Sequence, residues 1–281
     1  MTTTEDRDAE ESHGAPVPVS LSFERDERHL IRDVGNATRF AAKSFRLVGE
    51  VRGYVSEVFR QAGILIISSA LIIWCLMMVL GAEGSLQGHY LLRQLGAADY
   101  TAIFTSTGEY SAGPSVFGWI MAAKVGCGLV AELGSMRISE EIDALEVMGF
   151  SSTAYLVTTR LLAILLVMPF LLTVGFGLMF LTSHVLSIYF FHSVSAGGYE
   201  SVFWTFMTPS DLLAAMGSSM LMGVGIIIVG CYYGYTASGG PVGVGKNTAK
   251  SMIINMIIVA AIGVITQQLF FGNLDRAPIG H

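Results

Sequence analysis

Five apolar stretches, at about 62–82, 113–133, 161–188, 212–234 and 252–272, dominate this 281-residue chain. Each reaches the ~20 residues an α-helix needs to cross the hydrocarbon core of a bilayer. Inside that core every backbone polar group must be satisfied within the protein, so stretches of this length predict membrane-spanning helices. The third is longer and contains Pro169, a site for a tilt or kink. Only 14% of residues are charged, against about 25% in a soluble domain, which favours one membrane bundle over soluble domains. The 32 glycines suit close helix contact in lipid. Residues 83–112 are only half apolar and read as an outside loop with short helical pieces.

The chain before the first stretch has two parts. Residues 1–28 hold eight of the 22 acids, two prolines and few large apolar groups, the composition of a disordered tail. They lack the basic start and apolar run of a cleavable signal peptide. Across 29–60, Leu30, Val34, Ala37, Ala41, Phe45, Val48, Val51, Val55 and Val58 recur at helical steps among six arginines and lysines. That pattern predicts an amphipathic helix in the headgroup layer, or a helix packed on a partner. The domain reading is therefore 1–28 acidic tail, 29–60 interfacial helix, 61–273 membrane bundle and 274–281 outside tail.

Basic residues set the orientation. Nine precede the first span. With the N-terminus inside, Arg137, Arg160, Lys246 and Lys250 also fall on the cytoplasmic side, and only Arg93 and Arg276 fall outside. The positive-inside rule then predicts a multi-pass plasma-membrane protein with a cytoplasmic N-terminus and an outside C-terminus.

Residues 131–149 lie between spans two and three, on the predicted cytoplasmic side. Ser139 is placed to cap a short helix, with Glu140 and Glu141 in its first turn. Ile142, Leu145 and Val147 to Met148 give it an apolar face, Arg137 precedes it, Asp143 lies within it, and Gly149 can end it. Such a helix is a docking element for a cytoplasmic protein, or an ordinary loop helix.

This stretch resembles the signature of the MlaE/YrbE permeases, membrane subunits of ATP-binding-cassette lipid transporters that work with MCE proteins. The family pattern runs Ala-Glu-(Ile/Leu)-Gly, Met-(Arg/Lys), an acidic helix ending Ile-Asp-Ala-Leu, then Met-Gly. Residues 131–149 follow it closely. Tyr155–Val157 and Arg160–Ala163 resemble its Leu-Val-x-Pro-Arg-x-x-Ala, with Thr159 for the proline. Gly240–Lys250 resembles its glycine-rich turn, and Phe271–Asn273 its Phe-Gly-Asn ending. The wording of the motif and the acidic tail look most like YrbE subunits of actinobacterial Mce systems. The resemblance implies an all-α integral membrane fold: an amphipathic interfacial helix, about five transmembrane helices and a short cytoplasmic coupling helix. It implies a non-enzymatic permease subunit moving hydrophobic lipids such as phospholipids, fatty acids or sterols. ATP and magnesium would sit on a partner ATPase, with no cofactor in this chain. The implied partners are that cytoplasmic ATPase, extracytoplasmic MCE proteins and a second YrbE-like permease. Some relatives carry an intramembrane acid that aligns with Gly263, so a non-identical second permease, and hence a heterodimer, is expected. The coupling residues would be Arg137, Glu140, Glu141, Ile142, Asp143, Leu145 and Gly149.

Other features weigh less. Gly240–Asn247 nearly matches a phosphate-binding loop, but an apolar span precedes it and Asn247 stands where Ser or Thr should hold magnesium. It is predicted to be a tight turn instead. Lys124, alone in span two, reads as a functional charge with Glu132 its nearest partner, or as a structural lysine that snorkels. With Asn255 and Thr266 it is a candidate for the lipid path. Ala122-x3-Gly126 and Gly230-x3-Gly234 allow close helix contact. Cys75, Cys127 and Cys231 read as buried free thiols. His89, His184 and His192 lack ligand spacing, and no basic stripe suits nucleic acid. The rival reading, a stand-alone secondary transporter or channel, would need coupling charges in the membrane.

Overall fold

The computed structural model describes residues 35–46 and 53–271. The acidic tail 1–28, the segments 29–34 and 47–52 and the C-terminal tail lie outside the described residues. The chain divides into two units, Met1–Lys43 and Ser44–His281. In the first, residues 35–43 are helical, and the helix α1 runs over 35–46.

The second unit is all-α, with no strand among the described residues. Its principal helices are α2 (Val55–Gln94), α3 (Tyr110–Met121), α4 (Cys127–Ile138), α5 (Glu141–Val147), α6 (Thr159–Val185), α7 (Ala196–Phe206), α8 (Pro209–Tyr235) and α9 (Gly240–Phe271). Single π-helical turns at Ala122–Gly126 and Ala154–Thr158 join these helices into longer rods. Five helices are long and apolar enough to cross a membrane: Val55–Gln94, Ala112–Ile138, Ala154–Phe190, Pro209–Tyr235 and Gly240–Leu269. The protein is an all-α integral membrane protein, as its apolar stretches predict.

Two boundaries differ from the sequence reading. The first span is a helix of 40 residues, roughly 60 Å long at ~1.5 Å per residue, so Val55–Arg60 and the expected loop 83–94 are both part of it. The small and polar residues Gly81, Gly84, Ser85, Gly88 and His89 look like loop composition. They are instead the buried face of α2. A Cβ on Gly81 would lie 2.1 Å from the Met179 carbonyl oxygen, and one on Gly88 would lie 2.8 Å from Thr101. Helices in lipid gain little from burying apolar surface against each other, so close backbone approach of this kind supplies the packing.

The second correction concerns 240–247. This segment forms the first turns of α9, and the tight turn lies just before it, where Gly239 and Gly240 take positive φ values of 83° and 71°. A helix on both sides of that turn leaves no strand–loop–helix geometry for a nucleotide phosphate.

The bundle core forms where α3, α6 and α8 meet, around Phe117, Met121, Ile164, Met168, Met222 and Ile226. The helix ends follow ordinary capping chemistry. Thr208 and Asp211 form a capping box at α8 with Pro209 in the first turn, and the Ser195 hydroxyl accepts from the Gly198 N–H at α7. The two expected small-residue contacts form within the chain. A Cβ on Gly230 would meet the Gly126 carbonyl oxygen at 3.1 Å, and one on Gly234 would meet Leu133 Cβ at 2.7 Å.

Candidate functional site

α4 and α5 join at a sharp corner. Glu140 adopts a left-handed conformation with φ 61°, which lets the chain turn within two residues. Ser139 does not cap α5. Its hydroxyl donates to the Ser135 carbonyl and to the Glu141 carboxylate, each at 2.9 Å. At the other end Gly149 takes φ +85°. The Phe150 N–H donates to the Leu145 carbonyl at 3.1 Å and the Gly149 N–H to the Glu146 carbonyl at 3.0 Å. This is a Schellman stop, and its left-handed residue is the glycine the sequence marked.

Side chains then fix α5 to the bundle. Arg137 pairs with Asp143 and lies over the Tyr235 ring, 6.0 Å from its centroid. The Tyr235 hydroxyl donates to Glu146 at 2.9 Å. Ser152 donates to the same carboxylate oxygen at 2.5 Å and lies 2.9 Å from the Tyr235 hydroxyl. The last residue of α8 thereby holds the C-terminal end of the seven-residue helix, and Arg137 at the end of α4 holds its middle. Glu146, Ser152 and Tyr235 were not singled out in the sequence. Glu146 stood inside the motif, but nothing local announced a partner 89 positions away.

Only the Val147–Met148 end of the expected apolar face of α5 looks outward. Ile142 is fully buried and Leu145 half-buried; both point back into this chain because the α4–α5 corner folds them inward. Ile142 is therefore unavailable as an anchor for a partner. Exposed beside Glu140, Glu141 and Asp143 are Val147, at 88%, and Met148, at 63%.

A second cluster lies where α2, α4 and α6 approach. Arg160, only 3% exposed, donates to Glu132 at 2.5 Å. Lys124, whose nearest expected partner is Glu132, shares with this pair a cavity of ≈ 190 Å³ between α2 and the second and third spans. Gln61, Ser68 and Ser69 of α2 supply its other polar lining, and Leu65 and Leu129 part of its apolar wall. Thr159, in place of the family's proline, bonds back to the Tyr155 carbonyl at 2.5 Å, so the helix carries Arg160 into this cluster unbroken.

The other lipid-path candidates lie elsewhere. Asn255 is fully buried, its Nδ2 2.7 Å from where a Gly126 Cβ would stand. Thr266 bonds back to the Ile262 carbonyl at 2.7 Å. Gly263 lines a groove of ≈ 490 Å³ with Ser115, Trp119, Gln267 and Gln268. A Cβ there would stand 2.8 Å from the Ser115 hydroxyl, so an acid at this position would have to displace Ser115. Among the described residues no group of three His, Cys, Asp or Glu is placed to hold a metal.

The pattern that defines the family Permease MlaE matches residues 58–269, which spans α2 through α9 and includes both clusters. The chain belongs to the MlaE permease family. It is 26% identical to a probable ABC transporter permease protein of Rickettsia prowazekii (strain Madrid E), over 87% of this chain and 95% of that one. It is 29% identical to the chloroplastic protein trigalactosyldiacylglycerol 1 of Arabidopsis thaliana, over 56% of this chain and 45% of that one. A probable ABC transporter permease protein of Synechocystis is 30% identical over 57% of this chain and 61% of its own length. MlaE membership makes the protein an ABC-transporter permease, a class that works with an ATPase partner, and α5 with its tyrosine clasp lies inside the matched region.

Proposed function

We propose that this chain is the YrbE-like permease subunit of an MCE-type lipid transporter in the plasma membrane, with its N-terminus in the cytoplasm and its C-terminus outside. It pairs with a second, non-identical permease, takes its energy from a cytoplasmic ATPase and hands lipid to or from extracytoplasmic MCE proteins. Phospholipids, fatty acids and sterols are the substrate classes. The galactolipid in the name of the Arabidopsis relative supports a lipid cargo, and the basic residues before the first span support the orientation.

The observation that carries this reading is the clasp on α5. A docking helix transmits force only if it cannot swing freely on the bundle, and Tyr235, Arg137 and Glu146 tie α5 to the ends of both α4 and α8. Movement of an ATPase against Val147, Met148 and the acids around them then moves spans two and four together. α5 is the coupling helix, and Arg137, Asp143 and Gly149 shape it while Glu140 and Glu141 border the docking face. ATP and magnesium are held by the partner.

Co-expression and purification of the full chain tests the reading. The chain recovers an ATPase and a second permease, and ATP-dependent lipid movement in proteoliposomes needs all of them. Hydrolysis of ATP by the purified chain alone, lost in Lys246→Ala, contradicts it.

A further inference from the structure

The cavity between α2, α4 and α6 has an electrostatic imbalance. Arg160 and Lys124 bring two positive charges and Glu132 one negative charge. Glu132 takes a single bond from Arg160, and the Nε and Nη1 atoms of that buried guanidinium have no hydrogen-bond partner. Among the described residues Lys124 makes no ion pair. Unpartnered donors on a charged group shielded from water are costly, and arginine's fork suits a carboxylate or phosphate. Gln61, Ser68 and Ser69 add polar lining along two turns of α2.

We infer that this cavity is a binding site for one anionic head group, a carboxylate or a phosphate, held between Lys124 and Arg160. The volume of ≈ 190 Å³ accommodates a head group and not a chain, so the acyl part of a lipid ligand lies outside it along the apolar flank of α2. Glu132 competes with the ligand for Arg160 and weakens binding. The inference rests on the lipid-permease reading for its preference for an amphiphile, and it places that amphiphile's charge within this single chain.

The test uses the full chain in phosphatidylcholine nanodiscs with a diazirine-bearing palmitate and its methyl ester. The acid labels peptides containing residues 61–69 or 124–132 and the ester labels them at least about tenfold less. Lys124→Gln lowers labelling roughly tenfold, the loss expected for one charge-assisted bond. Glu132→Gln raises it several-fold by freeing Arg160, whereas a merely structural ion pair would lower it. Inorganic phosphate in excess that abolishes labelling assigns the site to a soluble phosphate, and labelling that resists phosphate but yields to added phosphatidylglycerol assigns it to a lipid head group. Equal labelling by acid and ester, or labelling unchanged in Lys124→Gln, overturns the site. ATP-driven transport that persists in a chain without such labelling defeats this inference alone. Labelling with these signs in a chain that recovers no ATPase leaves the site standing and defeats the transport reading.

Discussion

The hydroxyl of Tyr235, at the end of α8, reaches across 89 positions to the carboxylate of Glu146 on α5 at 2.9 Å. That bond, shared with Ser152, joins the fourth span to the short helix between the second and third. Tyr235→Phe removes the hydroxyl and keeps the ring beneath Arg137. We expect it to insert and fold normally and to cost about 1 kcal/mol locally. Backbone hydrogen exchange across 141–148 should rise while exchange in α6 stays unchanged. ATPase activity of the assembled transporter should lose part of its response to lipid. Unchanged exchange in 141–148 means the clasp does not hold α5.

Close helix approach gives a paired test of the fold. Gly81→Ala sets a methyl against the Met179 backbone carbonyl, which cannot yield as a flexible side chain can. Overpacking of this kind commonly costs about 1–3 kcal/mol, and α2 packs on α6 along much of its length. Gly177 and Gly217 have nothing within 4 Å of an added Cβ, so Gly177→Ala and Gly217→Ala should match or exceed the parent in thermal stability in detergent. A Gly81→Ala chain as stable as Gly177→Ala contradicts the α2–α6 packing.

Much of this fold was legible because lipid forces a simple code: long apolar stretches become helices, and all five appear where the sequence put them. Gly149 was legible for a similar reason, since a helix that must stop and reverse needs a residue tolerant of positive φ. The errors have related causes. Gly84, Ser85, Gly88 and His89 were read as a loop for their half-polar composition, and Gly240 to Gly245 by soluble-protein turn chemistry. In the bundle the first set faces a neighbouring helix and the second opens one. Ser139 had the right identity for a cap, but the left-handed Glu140 put the corner one residue later. The site was legible as a segment and not as a surface. The sequence marked Ile142, Leu145 and Val147 to Met148 as the apolar face without saying which of them look toward a partner and which back into the chain. The partners Arg160 for Glu132 and Tyr235 for Glu146 are contacts between distant helices, and one sequence carries no trace of them.

Orientation is open to a direct check. Reporter fusions at residue 20 and within 136–150 should report the cytoplasm, and fusions at 95 and 200 the outside. Cytoplasmic signals at both 95 and 200 contradict the arrangement.

Charge on α5 should matter less than its apolar tip. Glu140, Glu141 and Asp143 are exposed, and exposed ion pairs contribute only about 0–1 kcal/mol. Glu141→Ala should leave ATPase recovery within about twofold of the parent. Leu145→Ala, which trims a half-buried side chain, should lower thermal stability more than it lowers docking.

The central claim is that an ATPase drives this permease by gripping the exposed end of α5. Val147→Asp with Met148→Asp tests it most directly, because it alters exposed side chains and leaves the buried Ile142 in place. Recovery of the ATPase on the tagged, full-length chain is measured at matched expression, alongside recovery of the second permease. Truncating a desolvated interface anchor typically costs about 2 kcal/mol or more, and a buried charge costs further. The account predicts that the ATPase is lost while the second permease is retained. Full ATPase recovery with this double variant would contradict it.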